Sequence, residues 1–163
     1  MKLVKIAYGD LNARQKENFN FQKVSAVLAE YGFVTLRLSD DWQGADFIAS
    51  HIDGKRFIRV QLKSRLTFYK KYQGKDLYIA FRESRIWYLY AHDEVLEKVL
   101  AVTGIGKTVS WSERGGYSRG VLSKQLRSML EPYRIPVNVK MGLGTTTAFK
   151  QQKDTTAIIS ERE

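Results

Sequence analysis

A chain of 163 residues with 44% hydrophobic and 27% charged side chains has enough material for one domain around a single core. It contains no cysteine and two histidines, which excludes disulfides, thiol nucleophiles and cysteine-ligated zinc, and leaves too few imidazoles for most other zinc sites. Its 27 Lys and Arg against 17 Asp and Glu give a formal net charge of +10, which favours a polyanionic partner, nucleic acid first.

Met1 and the residues after it form no apolar run of signal-peptide length, and no stretch approaches the roughly 18 apolar residues of a membrane span. A cytoplasmic protein with no membrane contact is expected. In chain order, residues 12–31 have helical periodicity: Phe21, Val24 and Leu28 share a face, Asn12 suits the N-cap, and Gly32 suits the position past the end. Residues 33–38 read as a strand. Residues 45–52 and 55–63 read as two more, joined at Asp53-Gly54, a strong hairpin signal. A basic, aromatic stretch at 66–75 precedes two further strands, 77–81 and 86–90, and Asp93 is placed to cap a short helix reaching Leu100. Residues 103–120 read as an exposed loop with one strand at 108–111, and 122–130 as a last helix stopped by Pro132. The expected division is a domain over 1–136 and a tail or packing arm over 137–163. The order predicts an α/β fold, an N-terminal helix followed by a meander in a mixed sheet with helical cover.

The hairpin carries the chemistry. With Asp53 and Gly54 at its tip, paired residue numbers sum to 107, so Asp46 falls opposite Gln61. Strand side chains alternate, so Gln61 and Lys63 share the face that Asp46 occupies. A carboxylate, an amide oxygen and an ammonium gathered there suit phosphodiester hydrolysis: oxygen donors hold Mg²⁺, and a lysine stabilises charge on the attacked phosphate. Glu17 falls on the inward stripe of the first helix, where a carboxylate needs a partner, and is the fourth candidate residue; a place in the exposed first turn is the other reading.

Asp46, a hairpin, then Gln61-Leu62-Lys63 resembles the PD-(D/E)xK superfamily, the restriction-endonuclease-like nucleases. The resemblance spans roughly residues 12–100. Gly44-Ala45 stands where the family usually has Pro, and Gln61 where it usually has Glu, a variant found in Mrr-type restriction enzymes and some homing endonucleases. The family's second helix is shortened or missing between Lys63 and Leu77. The resemblance implies a restriction-endonuclease-like core, Mg²⁺ (with Mn²⁺ as an alternative) held by Asp46, Gln61 and the Leu62 carbonyl, and DNA as substrate. Restriction, homing and junction resolution remain open as roles. Cutting both strands of a duplex implies a homodimer or higher homo-oligomer.

Lys70, Lys71, Lys75, Arg114, Arg119, Lys124 and Arg127 lie in basic segments, partly interleaved with aromatics, and are the expected DNA contacts. The run A-V-T-G-I-G-K-T at 101–108 loosely matches a phosphate-binding loop, but a helix precedes it where a strand is required, so no nucleotide is expected. His51 is expected on the face away from Asp46, and His92 beside Asp93 at a helix start. A non-catalytic DNA-binding module on the same fold is the main alternative, with Gln61 as its support. An RNA-binding domain is weaker for want of a module signature.

Overall fold

The protein is described by a computed structural model over residues 1–136; the expected tail, 137–163, lies outside the described residues. Helix α1 (Ala13–Ala29) starts at a capping box in which Asn12 and Gln15 each bond the other's backbone N–H at 2.9 Å. It ends before Gly32, whose φ of +77° places it in the left-handed region that suits glycine. Val24 and Leu28 are buried against Phe47 and Val60 of the sheet, as the helical stripe predicts.

Strand β1 (Phe33–Trp42) runs past the predicted 33–38, with an irregular register between Arg37 and Trp42. It turns at Gln43-Gly44, both at positive φ, into β2 (Ala45–His51). Strand β3 (Phe57–Lys63) pairs with β2 as Phe47↔Val60 and Ala49↔Ile58, the register expected from the turn. Asp53 closes that turn by accepting the N–H of Lys55 at 2.9 Å, while Gly54 sits at φ +69°.

After β3 come β4 (Leu66–Tyr69) and a 3-10 turn at Lys70–Tyr72, so no α-helix lies between Lys63 and Leu77. Strand β5 (Leu77–Glu83) runs parallel to β3, and β6 (Ile86–Ala91) returns antiparallel. There follow α2 (His92–Val102), α3 (Val109–Ser112), β7 (Gly116–Arg119), α4 (Lys124–Leu130) and β8 (Arg134–Ile135). The main sheet has the order β1-β2-β3-β5-β6-β8, while β4 and β7 form a separate ribbon. This is the α/β architecture expected: an N-terminal helix, a mixed sheet and helical cover.

Three local expectations are corrected. Residues 109–112 are helical rather than a strand, because the Thr108 hydroxyl caps the N–H of Trp111 at 3.3 Å. The segment after it, read as loop, contains β7. Asp93 does not cap α2, whose N-cap is Ala91; its carboxylate instead meets His92 Nδ1 at 2.6 Å and accepts the Gly74 N–H at 2.7 Å. The 101–108 run passes from the end of α2 into a 3-10 turn at Gly104–Lys107, without the preceding strand a phosphate loop requires.

Two cores flank the sheet. One lies under α1, around Phe47, Val60, Ala80 and Trp87; the other lies under α2, α3, α4 and the ribbon, around Phe68, Phe81, Tyr90 and Leu126. That second cover stops short of the outer strands. Val34, Leu36 and Phe57 remain 69%, 66% and 64% exposed, with Val34 and Phe57 both opposed to Ser50 across β1, β2 and β3.

Candidate active site

The hairpin register brings Asp46 and Gln61 into direct contact. Gln61, only 7% exposed, donates from Nε2 to Asp46 Oδ2, and the same oxygen accepts the backbone N–H of Leu62 at 2.7 Å. Gln61 Oε1 accepts the hydroxyl of Tyr72 at 3.0 Å. Every polar atom of this buried amide is thereby engaged, as burial demands. Sequence reasoning missed Tyr72. It arrives from the 3-10 turn after β4, and its only signal was an aromatic ring inside a lysine-rich stretch.

The turn before Asp46 explains how Tyr72 gets there. Gly44 has φ +96°, and a Cβ there would lie 2.9 Å from Leu77 Cδ1 and 3.2 Å from the Tyr72 ring. A glycine therefore serves both the backbone and the close approach of Tyr72. Lys63 Nζ stands 5.4 Å from the centroid of that ring and Lys71 Nζ 5.2 Å, so two ammonium groups share one aromatic face system.

Glu17 reaches the same place from α1. Its side chain is 45% exposed, bonded to Arg37 of β1 and 3.7 Å from Arg14. Glu17 lies beyond the first turn of α1 but is exposed rather than buried in the inward stripe, and Arg37 pairs with it from β1. Glu17, Asp46, Gln61, Lys63, Lys71 and Tyr72 line one cleft of about 520 Å³.

Burial pushes the Asp46 carboxyl above the ordinary carboxylate range. The Leu62 N–H, the Lys63 charge and the Gln61 amide pull it back, while the Glu17 charge pushes it up again. The cleft that Asp46 and Glu17 face is also lined by Arg14, Arg37, Lys63 and Lys71.

The donors fit a hard divalent ion. Among the described residues no group of three or more His, Cys, Asp or Glu forms a metal cage. Mg²⁺ does not need one, since it is commonly bound by one or two carboxylates together with water and substrate oxygens. Asp46 and Glu17 present carboxylate oxygens to the cleft, and the Leu62 carbonyl is the further donor that the resemblance implies. Gln61 as placed shows Asp46 its nitrogen; turning the amide would set Oε1 toward Asp46, which a cation between the oxygens or a proton on Asp46 makes favourable, and Tyr72 could then accept from Nε2.

The expected DNA contacts divide. Lys71 lines the cleft, and Lys70 sits 5.5 Å from the Trp111 ring centroid while donating to the Ser112 carbonyl at 3.2 Å. Arg114, Arg119 and Lys124 are exposed, the first two on or beside β7, and Lys75 is half-buried. Arg127 is held by Glu83, with contacts of 3.0 and 3.3 Å, and Glu83 also accepts the Leu122 N–H at 2.9 Å. That network pins α4 to the sheet. His51 packs edge-on against Phe33, 5.0 Å between centroids, and braces the hairpin turn through Asp53.

Neither a family profile nor a curated protein matches the chain. Solved structures similar to it in backbone include two DNA-processing enzymes. One is Hjc, a Holliday junction resolvase from the archaeal hyperthermophile Archaeoglobus fulgidus: 14% identity, TM-score 0.38, covering 48% of this chain and 74% of that one. The other is a bacterial homing endonuclease, I-Ssp6803I: 15% identity, TM-score 0.44, covering 76% and 86%. Among the described residues no helix is long and apolar enough to cross a membrane.

Proposed function

We propose that the chain is a metal-dependent DNA endonuclease of the restriction-endonuclease-like kind, with Asp46, Gln61, Lys63 and Glu17 at its active site. The observation that carries this reading is the cleft itself: a half-buried Asp46 of β2 held above its usual pKa, a second carboxylate from α1, and an amide and a lysine from β3, brought together from three elements. Perturbed titratable groups in a shared cleft are the ordinary mark of a working site.

Asp46, Gln61, the Leu62 carbonyl and Glu17 would hold Mg²⁺ or Mn²⁺, which supplies Lewis-acid polarisation of the phosphate and a more acidic water. Lys63 stands at the cleft to hold the attacking water or to stabilise negative charge as the water oxygen bonds phosphorus and the leaving oxygen departs. Lys71 draws the phosphate backbone toward the cleft mouth, and Arg114, Arg119 and Lys124 extend that attraction over the ribbon side. Homodimerisation belongs to this proposal for a duplex substrate, and the exposed row of Val34, Leu36 and Phe57 offers an apolar surface for it.

One observation favours a second reading, a binding module without cleavage: the Gln61 amide nitrogen is already satisfied by Asp46 and its oxygen by Tyr72. Plasmid and branched DNA incubated with Mg²⁺ or Mn²⁺, and with chelator, separate the two. Cleavage is expected with metal only, and Asp46→Ala and Lys63→Ala should each lower it at least about 100-fold while binding in chelator stays within about twofold. Metal-independent binding with no cleavage of any substrate would select the second reading. Normal cutting by Lys63→Ala would move the active site elsewhere.

A further inference from the structure

Lys63 borders a second cavity on the other side from Asp46. This one, about 240 Å³, is lined by Tyr8, Asn20, Lys63, Ser64, Arg82 and Ser84. Leu62 pairs with Ala80 across β3 and β5, and Arg82 lies two residues further along β5. Its side chain therefore emerges on the face of Ala80, toward α1, where Asn20 is found. The cavity has two cationic side chains, two serine hydroxyls and no carboxylate among its lining residues.

Arg82 is the unusual member. Its Nε is buried with no hydrogen-bond partner, and it takes part in none of the ion pairs formed among the described residues. Arg127, by contrast, is held through Nε and Nη2 by Glu83, the residue after Arg82 on β5. A buried guanidinium donor without an acceptor is costly, and its planar fork of donors matches the oxygens of a phosphate or a carboxylate, of which the cavity lining has none. The remaining groups point the same way. Asn20 donates to the Tyr8 hydroxyl at 2.8 Å, which leaves that hydroxyl's own hydrogen to offer. Ser84 sits at φ +55°, a position that Gly or Asn would occupy with less strain, and brings a hydroxyl to the rim.

We infer that Arg82, with Ser64 and Ser84, forms a second phosphate site that holds the phosphodiester neighbouring the one at Asp46 and Lys63. Lys63 lines both cavities, so a strand following the groove presents consecutive phosphates to the two of them. The inference rests on the DNA reading above, and a phosphate monoester at a strand end has the same chemistry, so the test must separate these.

Two measurements do so, using the full chain, Arg82→Ala and the size-matched Arg82→Gln, each first checked for cooperative unfolding. Thermal melts with inorganic phosphate against chloride at equal ionic strength should show a phosphate-specific rise in the parent that both variants lose. This holds whether or not the protein cuts DNA, so it can succeed where the nuclease reading fails. Equal responses in parent and variants would overturn the site. Binding in chelator to duplexes carrying one neutral methylphosphonate at successive positions should then show one position beside the scissile phosphate where the parent weakens about five- to tenfold. Arg82→Ala should weaken similarly on unmodified DNA, gain no further loss at that position, and show a salt slope shallower by about one. Additive losses, or a preference confined to 5′-phosphorylated ends, would overturn the assignment to an internal phosphodiester.

Discussion

Tyr72 touches two polar neighbourhoods, its hydroxyl at Gln61 and its ring edge-on to His92 at 5.6 Å, and burial acts on them in opposite ways. His92 is 0% exposed, yet its ring is fully served: Nε2 accepts the Tyr69 N–H at 3.3 Å and Nδ1 meets Asp93. Those partners place the proton on Nδ1 of a neutral ring, and burial keeps its pKa below the ordinary 6.5, against the pull of Asp93. Asp46 lies less deep, but burial holds it above its ordinary range, with a smaller push from Glu17 across the cleft. The lesson lies in the sign. At His92 the fold has matched the charge state to the surroundings, whereas at Asp46 burial works against the charged form of a group that borders a polar cleft.

The largest effect that sharpens this contrast is a stability reversal. His92→Ala should lose about 2–4 kcal/mol, since it opens a cavity and orphans the Tyr69 N–H. Asp46→Asn should leave the metal-free protein as stable or up to about 1 kcal/mol more stable, because the disfavoured charge goes while an oxygen remains for the Leu62 N–H. Urea titrations of the two variants would show it, and a comparable loss in both would erase the distinction drawn here.

A smaller effect is expected from Gln61→Glu. A third carboxylate in the cleft should lower the melting temperature without metal and make the rise on adding Mg²⁺ larger than in the parent, since a ligand that binds only the folded state stabilises it. If the two rises are equal, Gln61 does not face the ion. The smallest effect is in pH dependence. Because folding holds the His92 pKa below its unfolded value, the unfolded state takes up more protons once the pH drops below about 6.5, and stability falls with it. The contribution is complete above that pH and is lost on acidification through the folded pKa. Melting curves from pH 7.5 to 5 should fall less steeply for His92→Gln than for the parent.

The strand register and the Asp46–Gln61 contact were legible because a two-residue signal, Asp53-Gly54, fixes the pairing of everything that follows it. The first helix was legible from Asn12, its apolar stripe and Gly32. Tyr72 and Arg82 were not, since each reaches its place through tertiary packing that no local pattern announces: one over a glycine turn, the other from the far end of a strand paired in parallel. The β7 strand was hidden by its own composition. Gly116 reads as loop, but an ideal Cβ there would lie 2.2 Å from the Tyr69 ring, so it is the ribbon's packing that demands glycine. The strand expected at 108–111 fails for the reverse reason, because β-branched residues favour a pleated surface only when one is available.

The β2–β3 hairpin has a kinetic consequence. Asp46, Gln61 and Lys63 are joined by a short loop, so the chain entropy lost in bringing them together is small compared with that of pairing β4 with β7 or β6 with β8. The proposed catalytic set is therefore a local product of folding, with Tyr72 only 11 residues from Gln61, and Glu17 and Arg82 join it as more distant segments close. Pulse-labelled amide exchange during refolding would read this order directly, with the β2–β3 amides expected to gain protection ahead of those of the β4–β7 ribbon. A mutation that delays the long-range steps would leave the chemistry assembled but unsupported, with its acid, amide and lysine opposed across a hairpin and still open to water.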